Sequence, residues 1–194
     1  MGVIYVAIRL YGNWDKGYAL SEHSKSSTFI GYTPSGRAEF ETDRTEMGAL
    51  IHGLKYRKNY GLVTSIIDLI RRDFKSLGVI DLIVPVPPSR EREIQPVHLI
   101  CRALGTEYKV PVENNWVFKT GKTTEQKNLS NRTEKVEVAK GSFSLNPGLC
   151  YRNRNVLLVD DIYDSGATLE AITEILKSEG KVKRVCVLTM TKTK

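Results

Sequence analysis

The sequence predicts an α/β protein whose central, mostly parallel sheet is covered by helices on both faces, with a small β-rich piece at the N-terminal end. Three observations lead there. From about residue 81 onward, short apolar runs alternate with segments of helical periodicity, the order in which parallel strands are linked by crossover helices. Val156 to Val159 are four consecutive apolar residues, the mark of a strand buried on both sides. With 194 residues, 41% apolar and 26% charged, the chain suits one α/β domain plus a small appendage, and disordered or fibrous classes are excluded.

The elements follow in order. Val3 to Leu10 are rich in β-branched and apolar types, and Thr28–Tyr32 and Arg37–Glu41 flank the turn signal Thr33, Pro34, Ser35, Gly36. Residues 1–45 are therefore expected to form a β-rich hood, and residues 46–194 the core. Asp43 to Glu46 has the spacing of a capping box, and Met47, Leu50, Ile51 and Leu54 continue at helical spacing, which predicts a helix over about 43–57. A second amphipathic stretch runs from about Leu62 to Phe74 and is closed by Gly78. Strands are then predicted at 81–85, 115–118, 142–145, 155–159 and 184–190, and helices at 94–104 and 167–178.

Lysine and arginine number 29 against 22 aspartates and glutamates, a net charge of +7 that points to an anionic partner. Cys101, Cys150 and Cys186 lie far apart, form no Cys-x-x-Cys pair and are too few for a disulfide framework, so a reducing cytoplasm and buried thiols are expected. No run approaches the roughly 18 apolar residues of a membrane helix. Val3 to Ile8 lacks the basic flank and cleavage site of a signal peptide, and Val6 stands where myristoylation after Gly2 wants Ser or Thr.

The chemistry concentrates between Asn155 and Leu169. In a parallel sheet, ligands sit beyond the carboxyl ends of the strands, and Asp160 and Asp161 fall at such an end. Two adjacent acids are expensive to desolvate unless hydroxyls, a metal or cations offset them, so the pair calls for a polyol or a metal. Asp164 to Thr168 then forms a tight turn around Gly166 that opens a helix, whose free N–H groups and dipole favour a phosphate. Ser165 and Thr168 add hydroxyls. Acids for vicinal hydroxyls and a turn for a monoester make a sugar-phosphate cradle.

Four apolar residues, two acids, two variable residues, a small polar pair, Gly, x, Thr: this string closely resembles the 5-phosphoribosyl-1-diphosphate (PRPP) motif of the type I phosphoribosyltransferases. The resemblance implies a type I phosphoribosyltransferase-like fold, with Asp160 and Asp161 on the ribose 2′ and 3′ hydroxyls and Asp164, Ser165, Gly166, Ala167 and Thr168 around the 5′-phosphate. It further implies a pyrophosphate loop after the strand Leu82–Pro85, at Pro87, Pro88, Ser89 and Arg90, where one X–Pro bond is a candidate for the cis form. Val84-Pro85-Val86-Pro87 with Arg90, Arg92 and Gln95, then Thr123 to Ser130 and Arg132, then Gly141-Ser142-Phe143, is similar to the ComF-like branch. Many members of that branch begin with a cysteine-rich zinc module, whereas the first 100 residues here hold no paired cysteines, and no zinc site is expected.

Other motifs give way on context. Gly121-Lys122-Thr123 echoes a Walker A loop, but Trp116 stands at its first glycine and no strand-loop-helix surrounds it. A receiver domain would open with Val-Asp-Asp, yet only 34 residues follow Asp160. Asn128-Leu129-Ser130 and Asn131-Arg132-Thr133 are sequons without meaning in a cytosolic chain. Residues 119–140 carry six basic and three acidic side chains and read either as a solvated loop or as a lid whose Lys127 or Arg132 acts on leaving pyrophosphate. His52 and His98 read as surface or packing residues, while His23 is a weak candidate for a base-stacking pocket with Trp14, Tyr18 and Tyr32.

The expected reaction is transfer of a 5-phosphoribosyl group from PRPP to a nitrogen nucleophile with release of pyrophosphate. The expected cofactor is Mg²⁺, held mainly by PRPP oxygens and water, with Asp160 and Asp161 as the protein groups nearest to it and no direct ligand assigned. The resemblance implies that Asp164 moves a proton at the acceptor. Hypoxanthine-type relatives read the purine partly with residues beyond the last strand, and only four residues follow Met190 here, so the resemblance implies that acceptor recognition falls mainly to residues 1 to about 45. The expected partners are PRPP and a nitrogenous acceptor, with weak nucleic-acid binding and a homodimer left open. The alternative is a non-catalytic PRPP- or nucleotide-sensing protein, or a competence-type factor associated with nucleic acid.

Overall fold

The structure is a computed structural model that describes residues 7–74, 78–90, 92–121 and 141–193. At its centre lies a five-stranded sheet in the order β1 (Ile8–Arg9), β2 (Lys16–Glu22), β9 (Arg184–Lys192), β8 (Asn155–Tyr163) and β5 (Leu82–Pro85). The last four run parallel, and β1 at the edge is antiparallel to β2. Alternation along β8 shows why its apolar run is unbroken. Val156 and Leu158 pack on the face covered by α4 (Ala167–Ser178), whereas Leu157 and Val159 pack on the face covered by α1 (Glu46–Tyr56), α2 (Leu62–Asp73) and α3 (Pro96–Tyr108).

Residues 7–45 are divided between two structures, and the part of the expected β-rich run from Val3 to Val6 lies outside the described residues. β2 enters the main sheet, with Ala19 and Leu20 buried, so this short apolar stretch is an internal strand that its flanking polar residues concealed. Only β3 (Ser24–Tyr32) and β4 (Ala38–Arg44) stand apart, as an antiparallel ribbon with Phe29 opposite Phe40. The strands expected near 115–118 and 142–145 exist as β6 (Val117–Lys119) and β7 (Phe143–Leu145), but they pair with each other, antiparallel, outside the parallel sheet. Each is three residues long, and in β6 Val117 is buried while Phe118 and Lys119 are exposed.

Helix α1 starts later than the capping-box spacing predicts. Asp43 stays in β4, 3.5 Å from Lys25, and the cap is Thr45, whose Oγ1 accepts the Gly48 N–H at 3.0 Å and donates to the Glu22 carbonyl at 2.6 Å. One hydroxyl therefore ties α1 to the end of β2. Thr45→Ala is expected to cost about 1–2 kcal/mol in a denaturant titration, and an unchanged midpoint would show that the cap contributes nothing. Helix α3 has Pro96 in its first turn and runs four residues past its predicted end, closing at Lys109 with φ 55°. The described peptide bonds are all trans, so the cis proline considered for residues 85–88 is not found. Cys101 and Cys186 are buried as expected, but Cys150 is exposed.

Candidate active site

The carboxyl ends of β5 and β8 open into a cavity of about 210 Å³. β8 continues four residues past its predicted end because Asp160, Ile162 and Tyr163 pair with Thr189, Thr191 and Lys192 of β9, so the two acids project from a fixed strand rather than from a loop. Asp160 accepts the backbone N–H of Asp161 at 2.8 Å. Burial, reinforced by the neighbouring charge of Asp161, pushes the Asp160 carboxyl well above the usual carboxylate range, against the pull of Lys55 and Lys119. Asp161 is held differently: its Oδ2 lies 2.8 Å from Lys55 Nζ, with side chains only 14% and 21% exposed.

The turn that follows β8 begins α4 at Gly166, which has φ +84°. A side chain there would meet the Tyr163 ring, with a Cβ only 2.8 Å from its hydroxyl, so both conformation and space require glycine. The Ala167 N–H reaches Ser165 Oγ only at 3.5 Å, and the first-turn N–H groups of α4 lack intrahelical partners. That is the donor array an anion needs. Asp164 is exposed and accepts from Thr193 Oγ1 at 3.0 Å, which ties the turn to the residue after β9.

On the other flank, the Val86 N–H donates to the Val159 carbonyl at 2.9 Å, locking the start of the proline loop to β8. Pro87, Pro88 and Ser89 line the cavity as expected. Arg90 is exposed and outside the lining, its carbonyl accepting from Gln95 Nε2 at 3.2 Å, and Arg92 lines the cavity instead. Of the residues expected around PRPP, the cavity collects Asp160, Asp161 and Thr168, while Asp164, Ser165, Gly166 and Ala167 form the turn between them. Lys127 and Arg132 lie outside the described residues.

Two cavity cations were not foreseen. Lys55 comes from the last turn of α1, where it follows Ile51 and Leu54 along the buried stripe; a lysine on an apolar stripe is the signal that could have found it. Lys119 ends β6, 5.8 Å above the Phe143 ring, and burial lowers its ammonium below the usual lysine range. The aromatic pocket considered around His23 does not form: Trp14 is in the core, Tyr18 packs on Phe74, and Tyr32 is out on the ribbon. His23 Nδ1 instead lies 3.1 Å from Thr191 Oγ1, which donates to the Asp161 carbonyl at 3.2 Å. A larger cavity of about 320 Å³, walled by Ile70, Phe74, Ile83, Leu104, Leu157 and Leu188, has no acid or cation among its described lining residues.

Among the described residues no group of three or more His, Cys, Asp or Glu side chains could hold a metal alone. Two hard carboxylates beside a polyphosphate-sized space fit a hydrated Mg²⁺ that takes most of its ligands from substrate. Among the described residues no helix is long and apolar enough to cross a membrane.

Residues 108–193 match the phosphoribosyl transferase domain family. No curated protein matches the chain. Among solved structures, the adenine phosphoribosyl transferase of Trypanosoma brucei, in complex with AMP, pyrophosphate and ribose-5-phosphate, is similar with a TM-score of 0.50 at 13% identity, covering 97% of this chain and 86% of that one. The adenine phosphoribosyltransferase of Saccharomyces cerevisiae gives 0.49 at 19% identity, over 86% of this chain and 84% of that one. That of Thermoanaerobacter pseudethanolicus gives 0.46 at 16%, over 86% and 95%. At 13% identity the likeness to the Trypanosoma brucei structure is one of fold.

Proposed function

For a chain that has the type I phosphoribosyltransferase fold and carries a phosphoribosyl transferase domain, we propose that the cavity binds PRPP with Mg²⁺ and transfers its 5-phosphoribosyl group to a nitrogen nucleophile. The observation that carries this reading is the meeting, in one cavity, of the diacid, the proline loop, Thr168 and the cations Lys55, Arg92 and Lys119. Asp160 and Asp161 take the ribose 2′ and 3′ hydroxyls, and residues 164–168 take the 5′-phosphate. Pro87 to Ser89, Arg92 and Lys119 face the pyrophosphate. Bound Mg²⁺ supplies charge neutralisation of the diphosphate.

The acceptor nitrogen forms a bond to C1 while the C1–O bond breaks, its electron pair leaving with pyrophosphate. The proton released from the acceptor passes to Asp164, whose carboxylate is held by Thr193. Positive charge develops on the ribose and negative charge on the leaving group, so positioning and fixed charge supply the catalysis. Lys127 and Arg132 belong to this proposal as leaving-group cations. The reading is tested by calorimetry of PRPP in the presence of Mg²⁺ and by pyrophosphate release across a panel of bases and amines. Saturable, Mg²⁺-dependent binding and release with at least one acceptor are expected; a chain that does not bind PRPP would refute it.

A further inference from the structure

Beside the diacid lies a cluster of which the transfer chemistry uses only Lys55. Gly48, His52 and Lys55 are four and three residues apart on α1, so they share one face of that helix. Gly48 is where α1 meets the base of the ribbon, since a Cβ there would collide with the His23 carbonyl. The shared face thus runs from His23 past His52 to Lys55, which holds Asp161. Arg44, the last residue of β4, pairs with Ser24, the residue after His23. His23, Arg44, His52 and Lys55 therefore gather on the α1 side of Asp161.

This cluster is short of negative charge. Arg44 Nε is buried and has no hydrogen-bond partner, and Arg44 takes part in no ion pair among the described residues. A guanidinium N–H withdrawn from water without an acceptor is a standing invitation to an anion. The acids closest in sequence are engaged elsewhere, Asp43 with Lys25 and Glu46 with Arg72. His23 lies within electrostatic reach of Arg44, His52, Lys55 and Asp161, and His52 within reach of Arg44 and Arg57; burial first, and then these cations, hold both imidazoles below the usual histidine range. A neutral imidazole can donate or accept a hydrogen bond, and the His52 ring lies tilted by 36° against Tyr56, with ring centres 5.0 Å apart.

We propose that this cluster is the acceptor subsite, and that it selects a nitrogenous heterocycle bearing an anionic substituent such as a carboxylate. Arg44 binds the anion, the imidazoles of His23 and His52 meet the polar edge of the ring, and the nucleophilic nitrogen faces the ribose held by Asp160 and Asp161. The inference rests on the phosphoribosyl-transfer reading and names the acceptor class that reading leaves open.

The test uses the full chain with Mg²⁺ and PRPP present. Affinity is measured for two pairs of probes that differ chiefly by a carboxylate, orotate against uracil and nicotinate against nicotinamide. The anionic member of at least one pair is expected to bind about tenfold tighter or more, as a charge-assisted bidentate contact provides. Arg44→Gln should erase that preference, Arg44→Lys should retain part of it, and PRPP affinity should stay within about twofold in both. If Arg44→Gln does not fold, His52→Gln serves in its place and should reduce the preference about threefold. Equal affinity within both pairs, or a preference that survives these substitutions, would overturn the proposal. PRPP binding by the unaltered chain is the separate control: its absence would refute the transfer reading itself.

Discussion

Replacing Asp160 and Asp161 together by asparagine is expected to weaken PRPP binding by about a hundredfold or more, since each charged acceptor is worth roughly 1.5–3 kcal/mol in its hydrogen bonds to hydroxyls. The two single variants should differ in a second respect. Asp161 already has a partner in Lys55, so Asp161→Asn leaves a largely buried ammonium unpaired and should destabilise the free protein. Asp160 is the opposite case. Its folded-state pKa is raised by burial and by Asp161, so at low pH neither folded nor unfolded chain bears the charge. Stability is then lost as pH rises from the unfolded carboxylate value through the raised folded value. Asp160→Asn removes that penalty and should raise Tm at neutral pH with no gain near pH 3, while PRPP affinity falls. Thermal melts across pH together with calorimetry check both halves; a fall in Tm at neutral pH would show that Asp160 is not strained in the free protein.

Gly166→Val should damage both fold and phosphate binding. The left-handed backbone at φ +84° costs a non-glycine residue about 1–2 kcal/mol, and the added side chain collides with the Tyr163 ring. Tyr163 is itself packed edge-on against Trp14, with ring centres 6.5 Å apart, so it cannot yield without disturbing the core. A stability loss of about 2–4 kcal/mol is expected in denaturant, with PRPP affinity at least tenfold lower in whatever folded protein remains. Unchanged PRPP affinity in folded Gly166→Val would show that the turn does not hold the 5′-phosphate.

The buried centre of this molecule was readable in its sequence because β8 and β9 are apolar on both faces and α4 has an unambiguous stripe. The diacid and the turn were readable for the same reason: they are contiguous, and local spacing alone sets their geometry. What escaped was everything decided by partners distant in the chain. β2 looks like a fragment of loop until β9 is beside it. Thr45 outcompetes Asp43 as a cap because the Glu22 carbonyl is waiting for its hydroxyl, and Lys55 becomes a site residue only when α1 is laid against β8. Arg92 lines the cavity and Arg90 does not, a difference of placement that composition does not specify.

The seating of β2 against β9 also bears on how the chain acquires this shape. Lys16 lies opposite Cys186 and Glu22 opposite Lys192, so one seam of the sheet joins segments 170 residues apart in the chain. β9 is the central strand, with β2 on one side and β8 on the other, and it follows the other described strands in the chain. Until it arrives, β2 and β8 each present an unpaired edge, and α1 has only part of the surface it covers. Such high contact order makes folding slow and limited by loop closure, and it places the time of greatest exposure to aggregation before β9 is seated between its neighbours.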